Sequence, residues 1–237
     1  EVCSPFLGGG SVELALAEKG VWVYGYDTFE PLIWFWRALL GNPDALANEA
    51  DSLRKYKDYY YGYRGLPKED FNLIKEELRN EEKYSLQNAA KFYALNRSSF
   101  SGATLSGGWS KRASYERFTD SSITRVREFS QPKLYVAAQH FKHSIPAHPK
   151  TFLYLDPPYL LGKDKENLYG DAGNKHKGFD HAGLVNILKE RDNWILSYNN
   201  CPEILKLYEG YDIIYPDWKY GMSSNKDSKE VLIINKG

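Results

Sequence analysis

The stretch Val2-Cys3-Ser4-Pro5-Phe6-Leu7-Gly8-Gly9-Gly10-Ser11-Val12-Glu13-Leu14 decides the fold. Its apolar start, residues 2–6, predicts a short buried strand that three glycines bring to an end. Ser11 predicts a helix N-cap, Val12, Leu14, Ala15 and Leu16 supply the apolar positions of the helix, and Gly20 stops it. Residues 21–26, V-W-V-Y-G-Y, are β-branched or aromatic apart from one glycine and predict a second strand ending at Asp27. Pro31 then opens an apolar helix through Trp34, Phe35, Leu39 and Leu40, closed by Gly41. Strand, helix, strand, helix in that order opens a doubly wound parallel sheet.

Beyond this opening the pattern changes. Residues 44–90 are charged and helix-prone, with Phe71, Ile74 and Leu78 at helical spacing within 67–82, and residues 85–97 predict another helix. Residues 98–119 lack a helical period and carry Gly, Ser and aromatics, which predicts a loop or hairpin; 121–131 is helical again. The β/α rhythm returns at Lys133, with strands expected at 134–138, 152–155, 194–198, 212–215 and 230–234 and a helix at 180–189. The last two strands have no long helix between them and predict an antiparallel edge hairpin. The expected architecture is α/β: a three-layer, Rossmann-like, mostly parallel sheet over 1–42 and 131–237, interrupted by a mainly helical insert over 43–130.

Composition excludes several classes. The chain has 237 residues and a mean hydropathy of −0.57, and no apolar run approaches the roughly 20 residues a membrane-spanning helix needs. No secretory leader is visible, and the two cysteines, Cys3 and Cys201, cannot make a disulfide scaffold and read as small buried residues. His140, His143 and His148 lack metal-site spacing, so no metal is expected. The chain begins at Glu1 inside an apolar run, and a further upstream segment is expected. Lys plus Arg and Asp plus Glu balance at 31 each, which taken alone argues against nucleic acid. By segment the balance breaks: residues 97–150 hold nine basic and three acidic side chains, +6, against −6 for the rest.

Two motifs carry chemistry. In Ser4–Ser11 the glycines let a ligand approach the backbone, and Asp27, 19 residues after Gly8, stands where such folds hold ribose hydroxyls. Together they point to an adenosine-containing ligand, although the spacing is not G-x-G-x-x-G. The second motif is D-P-P-Y, Asp156-Pro157-Pro158-Tyr159, directly after a predicted strand. Neither proline can donate a ladder hydrogen bond, so the chain leaves the sheet abruptly. That exit sets a carboxylate, a peptide carbonyl and an aromatic face at the carboxyl edge, suited to a planar base with an exocyclic amine.

The glycine turn with Phe6, Gly8 and Gly10 followed, after an insert, by D-P-P-Y resembles the Dam-type (alpha-group) DNA adenine-N6 methyltransferases. The segments F-Y-A-L-N-R-S-S-F-S-G (92–102), Q-H-F (139–141), G-F-D-H-A-G-L (178–184) and E-V-L-I-I-N (230–235) are similar to family elements as well. The resemblance implies S-adenosylmethionine as methyl donor, with Phe6, Gly8, Gly10, Asp27, Phe141 and Asp156 toward it. It implies a flipped adenine held by Asp156, Pro157, Pro158 and Tyr159. Asn96, Arg97, Ser98, Ser99, Lys111 and Arg112 would contact double-stranded DNA, and the +6 segment would meet phosphates. It also implies a cytoplasmic or host-cell setting in a restriction–modification, phage or viral system, with a monomer acting on DNA. Three features depart from the family pattern. The Lys- and Gly-rich opening segment is absent, His140 replaces an Asp, and Ala103–Ser110 replaces the hairpin tip. Other readings share the motifs: an N4-cytosine or RNA amino-methyltransferase of the same fold, and a non-catalytic DNA-binding subunit.

Overall fold

In the computed structural model, which describes residues 1–56, 64–160, 179–216 and 230–236, the first strand, β1, spans Val2–Ser4. It stops before Pro5, which has no N–H for the ladder, so it is shorter than the sequence predicts. Next come α1 (Ser11–Glu18), β2 (Val23–Asp27), α2 (Glu30–Gly41), α3 (Pro43–Ser52), β3 (Lys55–Tyr56), β4 (Arg64–Gly65), α4 (Lys68–Arg79) and α5 (Leu86–Ser98). Two 3-10 turns, Phe100–Gly102 and Thr104–Ser106, lead to α6 (Lys111–Glu116) and α7 (Asp120–Arg127). The chain continues through β5 (Leu134–Ala138), α8 (Phe141–Ala147), β6 (Phe152–Leu155), α9 (His181–Lys189), β7 (Trp194–Asn199), α10 (Pro202–Leu207), β8 (Asp212–Ile214) and β9 (Glu230–Asn235).

Among the described residues, 1–28, 133–160, 179–216 and 230–236 form one compact unit, and 29–56 with 64–132 form another. The first holds a seven-stranded sheet in the order β5-β2-β1-β6-β7-β9-β8. The pairs β5–β2, β2–β1, β1–β6 and β6–β7 are parallel, and β9 runs antiparallel to both β7 and β8. The expected edge hairpin is therefore present, with β9 inside and β8 outermost. The order reverses between β1 and β6: the chain winds from β1 out to β5, then returns to the other side of β1. In open α/β sheets such a switch point forms the ligand crevice at the carboxyl ends of the strands.

Helices flank this sheet, α1 against β2 and β5, α8 against β2 and α9. Leu153, Leu155, Leu184, Leu188, Trp194, Leu196 and Ile233 are fully buried around them. Trp194 satisfies its indole N–H on the carbonyls of Leu188 and Arg191, at 3.2 and 2.9 Å. Arg191 in turn donates to the carbonyls of His148 and Thr151, at 2.7 and 2.9 Å, fixing the chain that enters β6. Removing a side chain such as Trp194 from this core would cost about 3–5 kcal/mol.

The second unit is helical. α2 and α3 pack on α5, and α7 on α3. Phe35 stacks on Tyr93 with centroids 5.4 Å apart and planes 4° off parallel, and the Tyr93 hydroxyl donates to the Ser122 carbonyl at 3.1 Å. Thus α2, which the β-α-β-α reading attached to the sheet, buries Ile33, Trp34 and Trp36 within the helical unit. Ser110 caps α6 by accepting from the Ala113 N–H at 3.2 Å, so a short helix interrupts the loop expected over 98–119. Its six residues are too few to display a periodic apolar face.

Candidate active site

The glycine turn starts from backbone conformation. Gly8 and Gly10 have φ of 49° and 69°, the left-handed region that a side chain disfavours. Gly10, not Ser11, is the N-cap of α1, and no side chain caps that helix end. A left-handed N-cap turns the chain into the helix without a capping oxygen, leaving the first N–H groups to other partners. Among the described residues, a Cβ on Gly8 or Gly9 would meet nothing within 4 Å, so they leave the space over the turn open. The Gly8 N–H donates to Asp27 Oδ2 at 3.1 Å, linking the ends of β1 and β2.

Below the turn lies a residue the sequence reading did not single out. Glu13 on α1 is 2 % exposed and accepts from the fully buried Ser4 hydroxyl at 2.5 Å. Burial pushes its carboxyl above the usual carboxylate range, and the Asp156 charge adds to the push. The signal in the sequence was an acid inside an otherwise apolar helix start.

Asp156 follows β6, and β6 pairs directly with β1, so D-P-P-Y and the glycine turn leave neighbouring parallel strands at the same carboxyl edge. The residue is exposed, yet desolvation of its carboxyl by the surrounding protein, with the Glu230 carboxylate, pushes its pKa up to about 6, partly offset by the Tyr159 hydroxyl. The Tyr159 hydroxyl donates to Glu230 Oε1 at 2.8 Å, and its ring lies 6.0 Å from that of Tyr198 at 29°. The Tyr198 hydroxyl reaches the Pro158 carbonyl at 3.4 Å and bonds His181 Nδ1. Pro157 is buried.

Phe6, Phe141 and Phe179 form an aromatic cluster with centroids 5.4–5.7 Å apart. Phe141 is 2 % exposed, and His140 lies over it at 4.4 Å between centroids. Burial, with Lys142 and His143, holds His140 below its usual pKa, so the ring is neutral at neutral pH. Phe141 is therefore a buried wall, and Phe179 joins it. The stretch G-F-D-H carried that signal without assigning it a role.

In the helical unit the residues taken from the N-R-S-S segment turn inward. Asn96 donates to the Gly102 carbonyl at 3.1 Å, and Arg97 gives two bonds, 3.0 and 2.7 Å, to the Arg117 carbonyl. Arg117 bonds the Ser99 carbonyl, and Ser98 and Ser99 are fully buried. Lys111 and Arg112 are exposed at the start of α6, Arg112 paired with Glu116 at 2.7 Å. Phe100, not singled out from sequence, is 69 % exposed beside Ser101 and Thr104, whose φ values of 51° and 46° mark a strained turn.

No group of three or more His, Cys, Asp or Glu that could hold a metal ion occurs among the described residues, and no helix among them is long and apolar enough to cross a membrane. A family model described as D12 class N6 adenine-specific DNA methyltransferase matches residues 1–222. Comparison with curated proteins returned no match.

Proposed function

Because the chain belongs to the D12 class of N6 adenine-specific DNA methyltransferases and is a site-specific DNA adenine methyltransferase, we propose that its sheet unit carries the chemistry. There the methyl group passes from S-adenosylmethionine to an adenine turned out of duplex DNA, while the helical unit holds the duplex. Adenine N6 is thereby selected over the N4-cytosine and RNA readings that the motifs shared. The observation that carries the reading is the pairing of β1 with β6 at the switch point, which brings the glycine turn and D-P-P-Y to one edge.

The residues fit the cofactor. Open space over Gly8 and Gly9 accepts a ligand against the backbone, and Asp27 suits a ribose diol. The carboxylates of Glu13 and Asp156 favour a ligand bearing positive charge. Phe6, with Phe141 and Phe179 behind it, supplies an apolar wall for an adenine ring. When bound, S-adenosylmethionine supplies a methyl group already activated by its sulfonium.

The chain's residues then act on the base. Unstacking an adenine costs a few kcal/mol, which Tyr159 offsets by stacking on the extruded ring. Asp156 and the Pro157 carbonyl accept the two N6 hydrogens, a geometry that turns the nitrogen lone pair toward the methyl carbon. The S–CH3 bond would break as the N6–CH3 bond forms, and the surplus N6 proton would leave through Asp156 to solvent. The rate depends on positioning more than on proton abstraction, so Asp156 acts first as an orienting acceptor. Lys111 and Arg112 contribute phosphate contacts, and Phe100 offers an apolar face to the DNA. Asn96, Arg97, Ser98 and Ser99 hold the turn that presents them. The test is Asp156→Ala assayed for N6-methyladenine by digestion of product DNA to nucleosides, with S-adenosylmethionine binding measured by calorimetry. Loss of methylation with binding weakened far less is expected; an active variant would sink the assignment.

A further inference from the structure

The two prolines of D-P-P-Y remove the N–H groups that would have carried the chain further along the sheet, yet the segment after them is anchored. Asn199, the last residue of β7, accepts the Leu160 N–H at 3.1 Å and donates to the Leu160 carbonyl at 2.9 Å. One side-chain amide thus replaces the missing ladder rung. Directly opposite Asn199 in the antiparallel register stands Glu230, the first residue of β9, and it accepts the Tyr159 hydroxyl at 2.8 Å. Backbone and ring are therefore held by the two members of a single β7–β9 rung. Tyr198, 1 % exposed, lies beside the ring and bonds the Pro158 carbonyl.

We propose that Glu230 is a positioning residue for methyl transfer, holding the far end of the Tyr159 ring in place through its hydroxyl while Asn199 fixes the backbone on which that ring is carried. This rests on the reading of Tyr159 as the stacking face for the target base. A carboxylate here lies close enough to Asp156 to disfavour a second negative charge. A residue serving only to start a strand would not need that charge, whereas a phenol hydroxyl bonds an ionised acceptor about twice as strongly as a neutral one. The rotamer about Cα–Cβ sets where an aromatic ring points, and a hydroxyl tethered at the ring's far end holds that direction.

The experiment uses the full chain with plasmid DNA from a methylation-deficient host. It reads the single-turnover rate of tritium transfer from S-adenosylmethionine, with equilibrium binding of both substrates alongside. Glu230→Ala is expected to slow transfer about 10–100-fold, the range for losing a charge-assisted bond, while binding of S-adenosylmethionine and DNA changes less than about twofold. Tyr159→Phe, which removes this bond together with the hydroxyl's support of Asp156 and serves where Glu230→Ala does not fold, should slow transfer at least as much. The double variant should be no slower than Tyr159→Phe alone, the mark of a shared interaction. Glu230→Gln keeps an acceptor oxygen without the charge and should recover part of the rate. A wild-type rate in Glu230→Ala or Tyr159→Phe, or additive losses in the double variant, would overturn the proposal. A Tyr159→Ala variant separates the two levels. Full activity there removes the stacking reading and this inference with it, whereas a large loss there beside a normal Glu230→Ala removes this inference alone.

Discussion

At the carboxyl edge of the sheet, Gly8, Gly10, Asp27 and Asp156 stand on or just beyond the ends of β1, β2 and β6, and among the described residues no atom lies within 4 Å of where a Cβ on Gly8 or Gly9 would be. In the helical unit, Asn96, Arg97 and Arg117 spend their donors on carbonyls of their own chain. Lys75 and Arg79 on α4 do the same for Gly107 and Leu105, at 2.7 and 3.3 Å. The sheet edge is finished by few side chains, Asp27 on the Gly8 N–H and Asn199 on the Leu160 backbone, because its parallel strands satisfy one another. An irregular turn such as 99–108 exposes many backbone carbonyls, and buried carbonyls must be satisfied. Long cationic side chains are the available donors. A basic residue in such a segment thus has two competing uses, and only its surroundings choose between them.

That contrast can be broken or sharpened by experiment. The largest effect is expected at the sheet edge: Asp156→Ala should lower the methylation rate by about 100-fold or more, without shifting the urea midpoint downward. Next comes Arg97→Ala. Losing its two bonds to the Arg117 carbonyl should destabilise the protein by about 1.5–3 kcal/mol, read as a lower urea midpoint. Should Arg97→Ala instead keep its stability and lose DNA affinity, the inward assignment of this side chain is wrong.

Smaller effects are expected at Lys111→Ala and Arg112→Ala. Each should reduce the salt-dependence slope of DNA binding by about 1 and leave the midpoint unchanged; an unchanged slope would remove these residues from the DNA face. The smallest effect concerns pH. Asp156 must be ionised to accept in charged form, and its pKa is raised from 3.8 to about 6 by burial and then by Glu230. The rate should therefore rise with pH through about 6. Among the described residues, Glu13 on α1, Tyr159 on the same turn and Glu230 on β9 are the titratable groups that act on it or that it acts on. Glu230→Gln removes a negative charge, so the acid limb should move to lower pH. The stability sign is opposite to that of a paired carboxylate: the folded state holds this proton more tightly than the unfolded chain. Its contribution therefore favours folding at low pH and is lost as pH rises from about 3.8 to about 6.

Much of the sheet was legible because its signals are backbone signals. Gly8 and Gly10, Pro157 and Pro158, and the apolar runs of β1, β2, β6, β7 and β9 act on φ, on N–H supply and on burial within a few residues. The rest was not legible locally. α6, α8 and α10 have only six or seven residues each, about two turns, too few to display a periodic face. Ser11 looked like a cap because its side chain suits one, whereas the left-handed Gly10 made a capping oxygen unnecessary. The +6 count over 97–150 marked a real excess, but Arg127 pairs with Asp44 at 3.0 Å and Lys142 with Asp180 at 2.6 Å, acids outside that window. A segmental count sees one side of each pair.

By itself the sequence determined the alternation of strands and helices, the glycine turn, the abrupt exit at D-P-P-Y and the family, since each follows from residues adjacent in the chain. Tertiary structure alone decided the partners. Ser4 meets the buried Glu13 carboxyl, Asp156 lies near Glu230, and Asn199 stands across from Glu230 on a rung joining distant segments. It also decided that Arg97 closes a turn while Lys111 and Arg112 stay exposed. The physical reason is range: backbone conformation is settled within a few residues, whereas hydrogen-bond satisfaction and burial are settled by whatever the fold brings within about 3 Å.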